Sequence, residues 1–259
     1  MIRYADSSTN RAFRFGDGFF ETIRTADGTA PMWPYHWKRI LRSAELLGME
    51  LPDDGRPDPL LEEVVQYKFS RVRVTFYRVD DGLYEPARRS STALWFDVSP
   101  LGIEGFSPDP HLTRIAVCPD IRLACDPWSN IKSCSALRYV AAARYKAAND
   151  LEDCFLLNSH ERVAEACSSN VFVVTKDETI VTPPLTEGCV AGVMRLCVLQ
   201  LAENLGYRFR EEPISLEDLG RAKEVFLTNA VHGLRSVERF GERTYETCIC
   251  TRLKSHSPI

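Results

Sequence analysis

A chain of 259 residues, 44% of them hydrophobic, can bury one large core or two smaller ones and has an ordinary globular composition. A net charge of −4 argues against a nucleic-acid or anionic-membrane partner, and no apolar run approaches the roughly 18 residues of a membrane span. The opening Met1-Ile2-Arg3-Tyr4-Ala5-Asp6 shows no apolar signal segment, and nine scattered cysteines include no C-x-x-C. The expectation is reduced, mostly buried thiols in a cytoplasmic protein.

Helix and strand patterns alternate along the first half. Trp37, Ile40, Leu41, Ala44 and Leu47 recur at helical spacing, with Gly48 as the stop. Arg71-Val72-Arg73-Val74-Thr75-Phe76-Tyr77 alternates as a half-buried strand, Asp80-Asp81-Gly82 reads as a turn, and residues 92–98 as the returning strand. Pro100, Gly102, Gly105, Pro108 and Pro110 mark a linker. Beyond it a strand is predicted at 115–117, then a helix after Lys132 with Leu137, Val140 and Ala143 inward. Strands follow at 154–158, 169–174 and 179–182, and a helix at 192–205 is stopped by Gly206. Ser215-Leu216-Glu217-Asp218 opens a helix with a capping-box pattern, and 224–228 reads as a strand. The fold class is α/β (α+β): a small domain over 1–102, a linker over 103–112 and a larger domain over 113–259.

Metal and dinucleotide chemistry have little support. His36, His111, His160, His232 and His256 are dispersed, and Cys248-Ile249-Cys250 has no partner cluster, so no metal is expected. Gly16-x-Gly18 lacks the third glycine of a dinucleotide loop. His36 is expected to order its loop rather than act as an acid or base.

One lysine and one carboxylate carry more. Lys132 lies in Trp128-Ser129-Asn130-Ile131-Lys132-Ser133, and Glu165 follows in Val163-Ala164-Glu165-Ala166-Cys167-Ser168-Ser169-Asn170-Val171-Phe172. Seven residues separate Phe172 from Ile180-Val181-Thr182, and seven more separate Thr182 from Val190-Ala191-Gly192-Val193-Met194-Arg195. On the residues alone, Lys132 can be a surface lysine, Glu165 a solvated strand carboxylate and Arg39 a solvated helix arginine. The apolar residues at 190–194 suit plain core packing. A helix starting at Gly192 also offers free N–H groups to an anion.

The constrained positions over 165–195 resemble the signature of the class IV aminotransferases, the fold-type IV pyridoxal-phosphate (PLP) enzymes. Phe15-Gly16-Asp17-Gly18-Phe19-Phe20-Glu21-Thr22-Ile23-Arg24, His36-Trp37-Lys38-Arg39-Ile40 and Glu224-Val225-Phe226-Leu227-Thr228-Asn229-Ala230 resemble further motifs of that family. The resemblance implies the two-domain fold-type IV architecture and a homodimer. Its active site would lie between the domains, partly walled by the neighbouring subunit. It makes Lys132 the aldimine lysine and proton carrier, and Glu165 the carboxylate facing the pyridine nitrogen. It gives the phosphate to Arg39, the amides of Val193 and Met194, and the Asn229–Ala230 turn, with Val190 behind the ring. Thr22, Arg24 and Asn229 would face the substrate, Thr22 with a catalytic part. The Gly-Asp-Gly motif begins only 16 residues in, so the family's first strand is expected to be short or missing.

Within the family, residues 16–24, 188–195 and 228–230 resemble most the 4-amino-4-deoxychorismate lyases. Branched-chain aminotransferases usually have glycine where Thr22 stands and Ser-Gly-Thr at 228–230. The Arg-x-His carboxylate trap of bacillary D-amino-acid enzymes is not visible near Gly82-Leu83-Tyr84-Glu85-Pro86. The first expectation is elimination from a small amino substrate, giving 4-aminobenzoate and pyruvate. The alternatives are an aminotransferase of D-amino-acid or branched-chain type, and a PLP-binding protein without turnover.

Overall fold

The computed structural model describes residues 9–52, 57–86, 92–101 and 111–258. The chain forms two compact units, Met1–Phe106 with Ile131–Ala136, and Ser107–Asn130 with Leu137–Ile259. Most of the 103–112 linker lies outside the described residues, as do residues 1–8 of the stretch where the first strand was expected to be short or missing, and Arg11–Phe15 just before the Gly-Asp-Gly motif is helical. Lys132 was expected in the later domain; the 131–136 segment groups with the first unit.

The first unit contains α1 (Arg11–Phe15), β1 (Gly18–Arg24), α2 (Trp33–Leu47), α3 (Asp58–Val65), β2 (Ser70–Arg78) and β3 (Thr92–Pro100). The strands form an antiparallel sheet in the order β1-β2-β3. Alternation sends Phe19, Ile23, Val72, Val74 and Phe76 into a core shared with Trp33, Ile40, Ala44, Leu60, Val64 and Ile131. The opposite face carries Phe20, Thr22 and Arg24, paired in register with Thr75, Arg73 and Arg71.

α2 corrects the apolar stripe read from its sequence. Its buried face holds His36, Arg39, Ile40, Ser43 and Ala44, whereas Leu41 is 45% exposed and Trp37 and Leu47 are half-buried. The cause is Glu21, which shares the inward parity of Phe19 and Ile23. A carboxylate buried there requires donors, and the helix turns His36 and Arg39 towards it. Gly48 ends the helix in the left-handed conformation, φ 58°.

The second unit contains β4 (Ile115–Leu123), α4 (Leu137–Ala148), β5 (Asp153–Asn158) and β6 (Val163–Ala166), forming a sheet β4-β5-β6 with β4 and β5 parallel. Next come β7 (Asn170–Val174), β8 (Ile180–Thr182), α5 (Val193–Asn204), β9 (Phe209–Glu211), α6 (Leu216–Arg221), β10 (Glu224–Asn229) and β11 (Gly233–Val237). Their five strands form a sheet in the order β11-β10-β7-β8-β9. Phe155, Leu157, Val171, Val173, Val225, Leu227 and Val237 build the main core. The capping box at Ser215 and Asp218 is present. β12 (Arg239–Phe240), β13 (Arg243–Thr244) and α7 (Cys248–Ser255) complete the unit. Cys248-Ile249-Cys250 opens α7, where buried Glu224 accepts the amides of Ile249 and Cys250. All nine cysteines are free, and only Cys248 is exposed.

α4 is rotated relative to the sequence expectation. Leu137 and Val140 are 78% and 54% exposed, and Ala143 is exposed. Tyr139, Ala142 and Tyr145 face Cys154, Leu156 and Ala164 instead. The inward side of this helix therefore holds a phenol, because that phenol has a buried acceptor.

Candidate active site

In the first unit, the lysine segment is fastened to β1. The Phe20 N–H donates to the Lys132 carbonyl at 2.9 Å, the Cys134 N–H donates to the Gly18 carbonyl at 2.9 Å, and Ser133 bridges to Phe19. Ile131 is buried in the core immediately before. Lys132 is half-buried, with Nζ 4.6 Å from the Phe20 ring centroid, so it is not a solvated surface lysine. The Gly-Asp-Gly motif shapes the same corner. Gly16 sits at φ 72°, and a Cβ there would fall 2.1 Å from Ser135 Oγ. Asp17 accepts from Arg11 Nε at 2.7 Å and Arg78 Nε at 3.1 Å.

Glu21 is the centre of a buried triad. It accepts from Arg39 Nε and Nη2, both at 2.7 Å, and from His36 Nδ1 at 2.6 Å. Burial would raise its carboxyl, but the Arg39 guanidinium and the His36 donor outweigh burial and hold it at about 2. Burial lowers His36, so the ring is a neutral donor to Glu21. His36 thus lies on a helix and orders a carboxylate, not a loop. Arg39 is buried, which removes the solvated-helix alternative.

The outward face of the same sheet is cationic. Arg24 is buried and Thr22 half-buried. Across from them, the Arg73 guanidinium lies 3.6 Å from the Phe20 centroid, and Arg71 Nη2 donates to Ser99 Oγ at 3.3 Å with its Nε buried and unbonded. Burial loosens Arg73's hold on its proton, and the like charge of Arg71 acts in the same direction. Sequence reasoning did not single out Arg71 or Arg73. The alternation Arg71-Val72-Arg73-Val74 was the signal that puts both opposite the core.

In the second unit, Glu165 lies on β6 with 3% exposure. Its Oε1 accepts from the Tyr139 hydroxyl. Its Oε2 accepts from the Val190 N–H at 3.0 Å and from Asn170 Nδ2 at 3.5 Å. Asn170 Nδ2 also donates to the Val190 carbonyl at 2.9 Å. Asn130 ties down the same loop through the Leu185 and Cys189 carbonyls, both at 2.8 Å. Tyr139 was absent from the sequence reading.

α5 begins at Val193 with Gly192 as N-cap and no side-chain cap, and Val193 and Met194 are buried. A Cβ on Gly192 would fall 1.8 Å from Asn170 Oδ1, so only glycine lets this helix start approach Asn170. Arg195 is committed to the Pro183 carbonyl at 2.9 Å and to Glu211 at 2.6 Å. At the other expected phosphate turn, Thr228 Oγ1 is buried without a hydrogen-bond partner. Asn229 Oδ1 accepts the amides of Val231 and His232, and its Nδ2 donates to the Ser168 carbonyl and Ser169 Oγ. Ala230 is half-buried beside it. A buried carboxylate surrounded by donors, an uncapped helix start and an orphan hydroxyl suit a cationic ring nitrogen and a phosphate. Among the described residues no helix is long and apolar enough to cross a membrane.

Residues 18–240 match the family Amino-transferase class IV, and the chain belongs to it. The fold is that of the fold-type IV PLP enzymes, a class of PLP-dependent lyases and aminotransferases. Among its relatives, aminodeoxychorismate lyase of Vibrio harveyi is 29% identical over 243 residues, 88% of this chain and 84% of that one. D-alanine aminotransferase of Staphylococcus epidermidis is 30% identical over 236 residues, 86% and 79% of the two chains. The crystal structure of 4-amino-4-deoxychorismate lyase from Pseudomonas aeruginosa superposes with a TM-score of 0.87 at 27% identity, covering 98% of this chain and 95% of that one.

Proposed function

We propose that the protein is a PLP-dependent lyase that converts 4-amino-4-deoxychorismate to 4-aminobenzoate and pyruvate, working as a homodimer. The observation that carries this reading is the outward face of β1 and β2. There Thr22 lies in register with Arg73 and Arg24 with Arg71, next to the Phe20 ring that the Arg73 guanidinium and the Lys132 amine overlie. The substrate carries two carboxylates, and a guanidinium binds a carboxylate through paired N–H donors. Two relatives of comparable similarity bear different names, and the cationic face supports the lyase reading.

Bound PLP supplies an electron sink for the carbon that loses a proton. Lys132 Nζ takes the proton from the ring carbon bearing the amino group and returns it to the departing enolpyruvyl unit. Thr22 Oγ1 donates to the oxygen of that leaving group. Arg24 and Arg73 hold the carboxylates and so fix the ring against the lysine. Glu165 would hold the ring nitrogen, and Val190 would back the ring. The Val193 and Met194 amides and the Thr228–Ala230 turn would hold the phosphate. Arg39, whose Nε and Nη2 hold Glu21, would lend its charge to the same phosphate. In the second reading, favoured by the D-alanine aminotransferase relative, the same lysine moves the substrate α-proton.

The test is incubation with 4-amino-4-deoxychorismate. Equimolar 4-aminobenzoate and pyruvate are expected, and borohydride reduction should leave the cofactor on the peptide holding Lys132. Ping-pong exchange between an amino acid and a keto acid without aminobenzoate would establish the second reading.

A further inference from the structure

We propose that Tyr139 is a positioning residue for Glu165: its hydroxyl aims the carboxylate and keeps it an anion, so that the shared proton stays on the cofactor's ring nitrogen. The inference rests on the role given above to Glu165.

The geometry singles out one donor. On Oε2, Glu165 accepts from the Val190 amide, in the loop before α5, and from the Asn170 side chain at the start of β7, and Asn170 Nδ2 also donates to the Val190 carbonyl. On Oε1 it accepts from Tyr139, which comes from the first turn of α4. Bonds to both oxygens from separate elements fix the plane of the carboxyl group as well as its position. Tyr139 is held in turn, its ring packed against Ala142, Cys154, Leu156 and Ala164.

The phenol can only donate. Burial, then the Glu165 charge, raises it well above its ordinary value, so it stays neutral at any working pH. Cys167 and Cys189 also face this carboxylate, and burial, then the same charge, pushes Cys189 up to about 12. Between a ring nitrogen and a carboxylate, one proton goes to the stronger base. A donor on Oε1 weakens the carboxylate as a base, by about 10- to 100-fold for a hydrogen bond to a charged group. The proton then stays on nitrogen, where it makes the ring an electron sink.

The experiment uses holoenzyme reconstituted with PLP labelled with ¹⁵N in the ring, read by ¹⁵N NMR. The wild type should show a protonated nitrogen. Tyr139→Phe keeps the ring packing and should move the signal towards the unprotonated position, and kcat should fall about 10- to 100-fold with KM changed less than about 3-fold. In a Glu165→Gln background the Phe substitution should do nothing further. Incorporating 3-fluorotyrosine at position 139, a more acidic donor, should shift the signal opposite in sign to Phe, and decides the matter should the Phe variant not fold. An unchanged signal in Tyr139→Phe, or a shift of the same sign for both replacements, overturns the proposal. An unprotonated nitrogen in the wild type instead overturns the role of Glu165, which separates the two failures.

Discussion

Glu21→Gln should cost the first unit about 3 kcal/mol of stability at pH 7. Two routes give that figure. The folded carboxyl sits at about 2 against an ordinary 4.5, a difference equivalent to about 3 kcal/mol. Independently, removing one partner of a buried ion pair costs about 3–5 kcal/mol, and glutamine keeps an acceptor oxygen, which favours the lower end. Because the folded value lies below the unfolded one, this contribution is complete above pH 4.5 and is lost as pH falls towards 2. Above pH 4.5 a separate slope belongs to His36, which burial keeps neutral in the fold while it charges in the unfolded chain below its ordinary 6.5. The assay is urea unfolding by tryptophan fluorescence, since Trp33, Trp37 and Trp95 belong to the first unit and only Trp128 to the second. The wild-type advantage over Glu21→Gln should shrink between pH 4.5 and 2.5. A loss under about 1 kcal/mol at pH 7, or a pH-independent difference, would refute the account of the triad.

Three substitutions probe the proposed chemistry. Thr22→Gly should depress aminobenzoate release about 100-fold, the scale of a lost proton-donating contact, with PLP affinity unchanged; chromatographic assay and cofactor titration check both halves. Arg73→Leu should raise KM about 10-fold or more for the dicarboxylate, as one charged hydrogen bond is lost, and leave kcat within a few-fold. Thr228→Val should weaken PLP binding about 10-fold without destabilising the apoprotein, because its hydroxyl has no partner there to lose; a lower apoprotein melting temperature would show that the hydroxyl serves the fold instead.

The parts of the fold legible in the sequence were those set by local patterns. β2 spans the strand read at Arg71–Tyr77 and alternates as far as Phe76, and the stop at Gly48 and the box at Ser215 depend on residues within a turn of each other. The orientations of α2 and α4 were not legible. Both helices offered an apolar stripe, and both instead turned inward a face that includes a donor, because a buried carboxylate on a neighbouring strand needs donors more than an exposed leucine needs cover. Leaving Leu137 in water forgoes about 1.5–3 kcal/mol of burial. Leaving a buried carboxylate without its donors costs several kcal/mol.

That comparison also explains how differently the two carboxylates could be read. Glu21 shares the parity of Phe19 and Ile23, and His36 and Arg39 stand three apart on one helix face. A strand carboxylate on the buried parity, followed by a helix with two donors at that spacing, was a recoverable pattern. Glu165 has no such local sign. All four residues of β6 are buried, so parity says nothing, and its donors come from positions 26 residues earlier and 5 and 25 residues later. What marked it in the sequence was the spacing of a family motif, which reports what a cofactor requires of the chain. What the carboxylate itself requires, a phenol on α4 and an amide from the loop before α5, is a demand of the packed interior, and only the fold shows how it is met.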